Sequence, residues 1–319
     1  MKHAMKTNQE QLIDEIMHIK HEKGIAILAH YYQRKEIQDL ADFVGDSLAL
    51  SHYALNSSAG KILLAGVYFM AETAKVINPK CKVLIPDSSA GCSLADSCPP
   101  EAFRLFLKTL PKHKVVSYIN CSAEIKSLSD VICTSSNAER VINSIPEDQE
   151  IVFAPDKNLG KYLISKTGRK MVLWDGSCIV HESFSIEKLL QLHRRHPDAH
   201  IIAHPESEPH LLKVAHFVGS TSALISYVKM SYADKFIIAT ESGILHALSK
   251  EIGESKQLIP APTWENNTCA CSECSFMKMT TLEKVYWCML HEFPAVEIDE
   301  TLRLRALHPL LRMLDISNN

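Results

Sequence analysis

What the sequence lacks narrows its function before any motif is read. In 319 residues no apolar run reaches the ~20 residues that a membrane-spanning helix needs, and the longest lies near Ile62–Ala71. The start of the chain, Met1–Lys20, is amphipathic and charged and has no apolar signal core. A cytoplasmic protein without membrane association is therefore expected. Charge of one sign is missing too: 37 acidic side chains face 34 basic ones, for a net charge of -3. That balance gives no electrostatic footprint for nucleic acid. There is no G-x-G-x-x-G, no G-x-x-x-x-G-K-[ST], no H-E-x-x-H and no G-x-S-x-G. Dinucleotide, P-loop, zincin and α/β-hydrolase readings lose their support.

Cysteine, by contrast, is plentiful, with ten residues at 81, 92, 98, 121, 133, 178, 269, 271, 274 and 288. A reducing cytosol makes a disulfide framework an unlikely use for them. Cys81, Cys121 and Cys133 lie in or beside strand-like apolar runs and read as small buried hydrophobes. Cys92, Cys178 and the group Cys269, Cys271 and Cys274 lie in loop-like sequence, where packing does not account for them.

Leu12, Ile13, Ile16, Met17 and Ile19 recur at helical spacing, and Gly24 suits the stop. Beyond it, short Ile-, Val- and Leu-rich runs alternate with helical stretches. They are Ile25–Ala29, Ile62–Val67, Lys82–Ile85, Val115–Tyr118, Val131–Cys133, Ile151–Ala154, Met171–Trp174, Ala199–Ala203, His216–Val218, Phe236–Ala239 and Gln257–Pro260. This is the pattern of parallel strands buried on both faces. His30, Tyr118 and His204 follow the first strand of three groups, 88 and 86 residues apart. Cys92, Cys178 and Cys274 follow the last strand of each group, 86 and 96 residues apart. Length alone suggests two domains, but this periodicity predicts three αβ units: 1–104 with the N-terminal helix, 105–190, and 191–319 with the C-terminal helices. Ligands of open α/β sheets bind beyond the carboxyl ends of the strands. Three units facing one centre would bring three thiolates together there, which implies a metal or a cluster.

Each candidate residue also has a plainer reading. Cys92, in Ala90-Gly91-Cys92-Ser93, is a ligand or part of a capped helix start. Cys178 and His181 face one cavity, or are a buried thiol and a surface imidazole. Cys271, Cys274, Cys288 and His291 have the spacing of a Cys₃His zinc site, but a single helix over Met277–Phe293 would make Cys288 ordinary packing. His30, Tyr31 and Tyr32 suit acid/base work at a strand end, or pack beneath a helix. Ser47 falls within a predicted helical stretch, Glu36–Leu55. Asn120, Ser135 and Thr221 follow strands at positions that either cap helices or bind an anion. Glu206, two residues after His204, is a general base if buried. Glu241 and His246, near Gly243, form a further polar cluster without an evident role.

The strings AHYYQRKEIQDLADFVGDS, GVYFMAETAK, AGCSLADSCP, YINCSAE, CTSSNA, GSCIVHE, AHPE, GST, TESGILH and CSECSFMKM occur in that order. In this the chain resembles the quinolinate synthases, from about Gly24 to Met279. The resemblance implies an α/β fold of three three-layer αβα sandwich units about a pseudo-threefold axis, with a [4Fe-4S] cluster at the centre held by Cys92, Cys178 and Cys274. It implies condensation of iminoaspartate with dihydroxyacetone phosphate to give quinolinate, phosphate and two waters, for NAD biosynthesis. One iron without a protein ligand would act as Lewis acid. Tyr32, Tyr118, His181, His204 and Glu206 would be catalytic, and His30, Ser47, Tyr118, Asn120, Ser135, His204, Glu206 and Thr221 would bind substrate. The two small molecules are the expected partners, with the iminoaspartate-producing enzyme a candidate third. Some members carry C-x-x-C-x-x-C at the last cluster. Here Thr268 stands three before Cys271 and Cys269 is displaced by one, so the resemblance carries no thiol-pair role for the first two cysteines.

Overall fold

A computed structural model describes residues 7–264 and 272–318; Cys269 and Cys271 lie outside them. Within these residues, twelve strands form three four-stranded sheets in which every pairing is parallel. The first contains β1 (Ile25–His30), β2 (Phe43–Gly45), β3 (Lys61–Ala65) and β4 (Lys82–Leu84). The second contains β5 (Lys114–Tyr118), β6 (Val131–Cys133), β7 (Ile151–Ala154) and β8 (Met171–Leu173). The third contains β9 (His200–Ala203), β10 (Phe217–Val218), β11 (Lys235–Ala239) and β12 (Gln257–Pro260). Strand order is the same in each: second, first, third, fourth. Helices flank every sheet, so the three-unit reading of the sequence holds as three similar α/β units.

The likeness extends to single hydrogen bonds. In each sheet the residue before the second strand grips one residue of the first strand from both sides. The Asp42 N–H donates to Ile27 O at 2.8 Å and Asp42 Oδ2 accepts from Ile27 N at 2.7 Å. Asp130 does the same with Val115, at 2.8 Å for both bonds. His216 does so with Ile201, its N–H donating at 2.7 Å and its Nδ1 accepting at 3.0 Å. These grips fix the register of the short edge strands, which could hardly hold it by ladder bonds alone. Lys20 supports Asp42 at 2.7 Å and Lys114 supports Asp130 at 3.0 Å. His216 must keep Nδ1 free of a proton to accept. Burial, His200 and His193 all push its pKa down, which favours that state.

The chain packs as two compact units, Met1–Gly91 with Ser275–Ile298, and Cys92–Cys274 with Asp299–Asn319. In the first, the helix Asn8–Lys23 is opened by a Thr7/Glu10 capping box and closed by Gly24 at φ 61°. This left-handed stop is one that glycine takes without strain. Its Ile16 and Ile19 pack with Ile25 and Ile27 of β1 and with Val285, Cys288 and Met289 of the helix Leu282–His291. In the second unit, the helix Glu300–Asn318 packs on the helix Ala123–Lys126 and on β6.

Two expectations change. The stretch Glu36–Leu55 is not one helix but a helix Lys35–Leu40, strand β2 and a helix Ser47–Asn56. Asp42 ties the chain to β1, and Asp46 restarts the helix by accepting from Ala49 N at 3.0 Å. The stretch Met277–Phe293 also divides, into a 3₁₀ turn Met277–Met279 and the helix Leu282–His291. Thr281 caps the latter by accepting from Lys284 N at 3.3 Å. No helix among the described residues is long and apolar enough to cross a membrane.

Replacing Asp130 by Ala leaves the Val115 N–H without its acceptor. A loss of about 1–3 kcal/mol in urea unfolding is expected, and unchanged stability would show that the grip does not hold the edge strand.

Candidate active site

The carboxyl ends of the strands set the site. Three residues past the end of each third strand, a backbone N–H donates to the carbonyl two residues before a cysteine. Tyr68 N reaches Ala90 O at 2.7 Å, Lys157 N reaches Gly176 O at 2.8 Å and Ser242 N reaches Ser272 O at 3.3 Å. Cys92, Cys178 and Cys274 therefore occupy one register in the three repeats. Cys92 and Cys178 each stand at the N-cap of a four-residue helix, Ser93–Asp96 and Ile179–Glu182. Ile179 N donates to Ser93 Oγ at 3.4 Å, which joins the two loops. In the second unit the thiols are close enough to oppose each other's ionisation. Burial, aided by Cys274 and Glu206, pushes Cys92 up to about 12. Burial, with Glu206 and Cys92 adding to it, raises Cys178 well above the ordinary thiol value.

Beside Cys178 lies a buried acid/base cluster. His181 Nδ1 is 3.2 Å from Cys178 Sγ and 3.1 Å from Glu206 Oε2, and its Nε2 is 3.0 Å from Thr240 Oγ1. A hydrogen on Nδ1 faces both sulfur and carboxylate, and the Thr240 hydroxyl is the hydrogen-bond partner of Nε2. The Tyr118 hydroxyl donates to Glu206 Oε1 at 2.6 Å. His204 stacks on His181 with centroids 4.8 Å apart, and its Nε2 is 3.2 Å from Ser135 Oγ. Burial alone would push the Glu206 carboxyl up, but His181, His204 and the Tyr118 hydroxyl together hold it below the ordinary carboxylate range. Asp156, wholly buried, goes the other way: burial first, then the charge of Glu206, push it well up. The two neighbouring carboxyls are thus pushed in opposite directions, a division that suits base and acid roles.

In the second unit, Ser135 sits two residues after Cys133, the last paired residue of β6, and Thr221 sits three residues after Val218, the last paired residue of β10. Thr221 opens the helix Thr221–Met230, whose cap is Ser220. Ser135 lies in the turn before the helix Ala138–Asn143. Asn120 Oδ1 is buried with no partner. In the first unit, Ser47 opens the helix Ser47–Asn56 at the same register. His30 and Tyr32 are buried at the end of β1, with rings 4.6 Å apart and the Tyr32 N–H donating to His30 Nδ1 at 3.2 Å. His204 accepts from Glu206 N at 3.4 Å in the same way. Tyr32, Asn120 and Glu206 are thus register equivalents.

Among the described residues, the remaining thiols pack. Cys98 joins Phe103, Val115 and Cys121 in a core cluster. Cys288 is buried with Ile16 and Met289, and His291 stacks on Trp287 at 5.4 Å. Both zinc candidates on this helix are therefore engaged elsewhere. Asp156 and Thr240 escaped the sequence reading, and Glu241 received no role there. All three lie one or two residues past a third strand, and that recurring offset is the signal that could have found them.

Comparison with known proteins bears on this geometry. The model of the family described as quinolinate synthetase A protein matches residues 14–315. The chain belongs to the quinolinate synthetase A family. A protein named quinolinate synthase from Synechococcus sp. is 57% identical over 299 residues, covering 94% of this chain and 93% of its own. One of the same name from Nostoc sp. is 54% identical over 307 residues, covering 96% and 94%. A third, from Cyanothece sp., is 53% identical over 308 residues, covering 97% and 95%. This chain of the quinolinate synthetase A family is an enzyme, and its half-buried thiols and buried carboxylates stand at equivalent strand ends.

A thiol raised to about 12 is almost wholly protonated at pH 8. In the metal-free protein, alkylation of Cys92 by iodoacetamide is expected to run roughly a hundredfold or more slower than that of an ordinary exposed thiol. Peptide mass spectrometry reads this directly, and equal rates would contradict the upward shift of the thiol.

Proposed function

We propose that this enzyme is a quinolinate synthase, condensing iminoaspartate with dihydroxyacetone phosphate to quinolinate, phosphate and two waters. The observation that carries the reading is the shared register of Cys92, Cys178 and Cys274, beside the Tyr118–Glu206–His204–His181 cluster. Three soft, half-buried thiols from three separate loops fit an iron–sulfur cluster better than they fit a hard cation. Cys92, Cys178 and Cys274 would hold a [4Fe-4S] cluster. When bound, it would supply one open iron as a Lewis acid. The three thiols must lose their protons on loading, so cluster binding rises with pH.

The other residues divide by chemistry. Glu206, charged and buried, is the base: it takes the phenolic proton of Tyr118, 2.6 Å away, as that oxygen takes one from substrate, and returns it to the phenolate in the reverse direction. His181 and His204 hold Glu206 ionised and orient it. Ser135, Thr221 and the Asn120 side-chain N–H are neutral donors for carboxylate and phosphate oxygens, and the unpartnered Asn120 Oδ1 would accept from a ligand N–H or O–H. From the resemblance, Tyr32, His30 and Ser47 complete the set, with Tyr32 a further proton-transfer group. We assign the three repeats to 1–104, 105–190 and 191–319, the enzyme to the cytoplasm, and the iminoaspartate-producing enzyme as a candidate partner.

A second reading rests on one observation. Ligand atoms of Cys178, His181 and Glu206 lie within 4.8 Å of one another and could hold a single ion. It leaves Cys92 and Cys274 without a task.

Anaerobic assay with the two substrates tests the first reading, quinolinate being its expected product. Cys92→Ala, Cys178→Ala and Cys274→Ala are each expected to abolish activity, while Cys288→Ala keeps it. Full activity in Cys92→Ala would favour the single ion. Glu206→Gln should retain iron but lose about 10²–10⁴ in turnover. Unchanged turnover would remove Glu206 from the mechanism.

A further inference from the structure

Glu241 is a buried carboxyl that the proposed reaction does not use. It stands two residues past β11, at the register held by Asp156 in the second sheet and by Val67 in the first. Asp156 spends one oxygen on its own helix, Oδ1 accepting from Leu159 N at 2.7 Å. Glu241 behaves differently. The helix after it, Ile244–Ile252, begins at Gly243 without a side-chain cap. The longer Glu241 side chain instead bridges two segments. Oε2 accepts from Gly243 N at 2.6 Å, and Oε1 accepts from Cys274 N at 3.0 Å. Ser242 N adds a third link to the same loop, at Ser272 O. The carboxylate is only 1% exposed. A charge so withdrawn from water is tolerable because backbone donors meet both of its oxygens.

We propose that Glu241 is a positioning residue for the metal centre. It clamps the backbone of Cys274 to the start of the helix Ile244–Ile252, so that the thiol is aimed before iron arrives, and it places a fixed negative charge beside that ligand. The proposal rests on the cluster reading above. Its chemistry makes it specific. Both oxygens of Glu241 accept, so a glutamine there would turn an NH₂ donor toward one of two N–H donors and lose that bond. Aspartate keeps the charge but is one methylene too short to span both segments.

The test uses the full-length protein, reconstituted anaerobically as wild type, Glu241→Gln and Glu241→Asp. Three quantities are read: iron and sulfide per chain, the rate of iron loss to a chelator, and the reduction potential. Both variants are expected to take up a cluster and to lose iron at least tenfold faster than wild type, as outer-shell changes commonly do. Only Glu241→Gln should shift the potential upward, because only it removes the negative charge. A role in folding alone would leave the potential unmoved. A Gln variant with wild-type release rate and potential overturns the proposal while the cluster reading stands. Wild type without iron and sulfide overturns both. If neither variant folds, amide exchange in metal-free wild type decides: the Cys274 N–H should be protected, and free exchange there overturns the clamp.

Discussion

Three backbone hydrogen bonds carry more of this structure's purpose than any side chain. Each runs from the segment just past a third strand to the carbonyl two residues before a cysteine: Tyr68 to Ala90, Lys157 to Gly176, Ser242 to Ser272. Because the sheets share one strand order, the same bond made three times delivers three thiols in equivalent settings. Backbone bonds are suited to this, since they fix a loop without specifying its side chains. Sequence could then diverge between repeats while the cysteine kept its place.

That divergence is where the chemistry resides. At one register, two residues beyond His30, Tyr118 and His204, the repeats carry Tyr32, Asn120 and Glu206. At another, two residues beyond the third strand, they carry Val67, Asp156 and Glu241. A common frame thus presents a phenol, an amide and a carboxylate, then an apolar side chain and two carboxyls. Burial pushes the carboxyls of Glu206 and Asp156 upward. His181, His204 and the Tyr118 hydroxyl reverse that for Glu206, whereas the backbone bonds to Asp156 do not offset its burial and the charge of Glu206. The opposite directions of two neighbouring carboxyls therefore come from their partners and not from residue type.

The strands were legible where they were long and apolar, as in Ile25–Ala29 or Phe236–Ala239. β2 was not, because Phe43-Val44-Gly45 is three residues long and falls in phase with the helical pattern around it. Its existence depends on Asp42 gripping Ile27, a contact between elements that periodicity cannot report. The helix break at Thr280 was hidden for a similar reason, a cap at Thr281 inside a continuous apolar pattern. The cysteines and strand-end residues could be found because the spacing of 86 to 96 residues repeats. Thr240 was missed because its role lies in the His181 ring it contacts rather than in its own segment, although its place just past β11 repeats the strand-end offset.

The central claim is that the three equivalent thiols are there to hold one iron–sulfur cluster. Iron and acid-labile sulfide in protein purified without exposure to air test it most directly. About four of each per chain is the result expected. One metal ion per chain and no sulfide would contradict the claim and give the centre to Cys178, His181 and Glu206 instead.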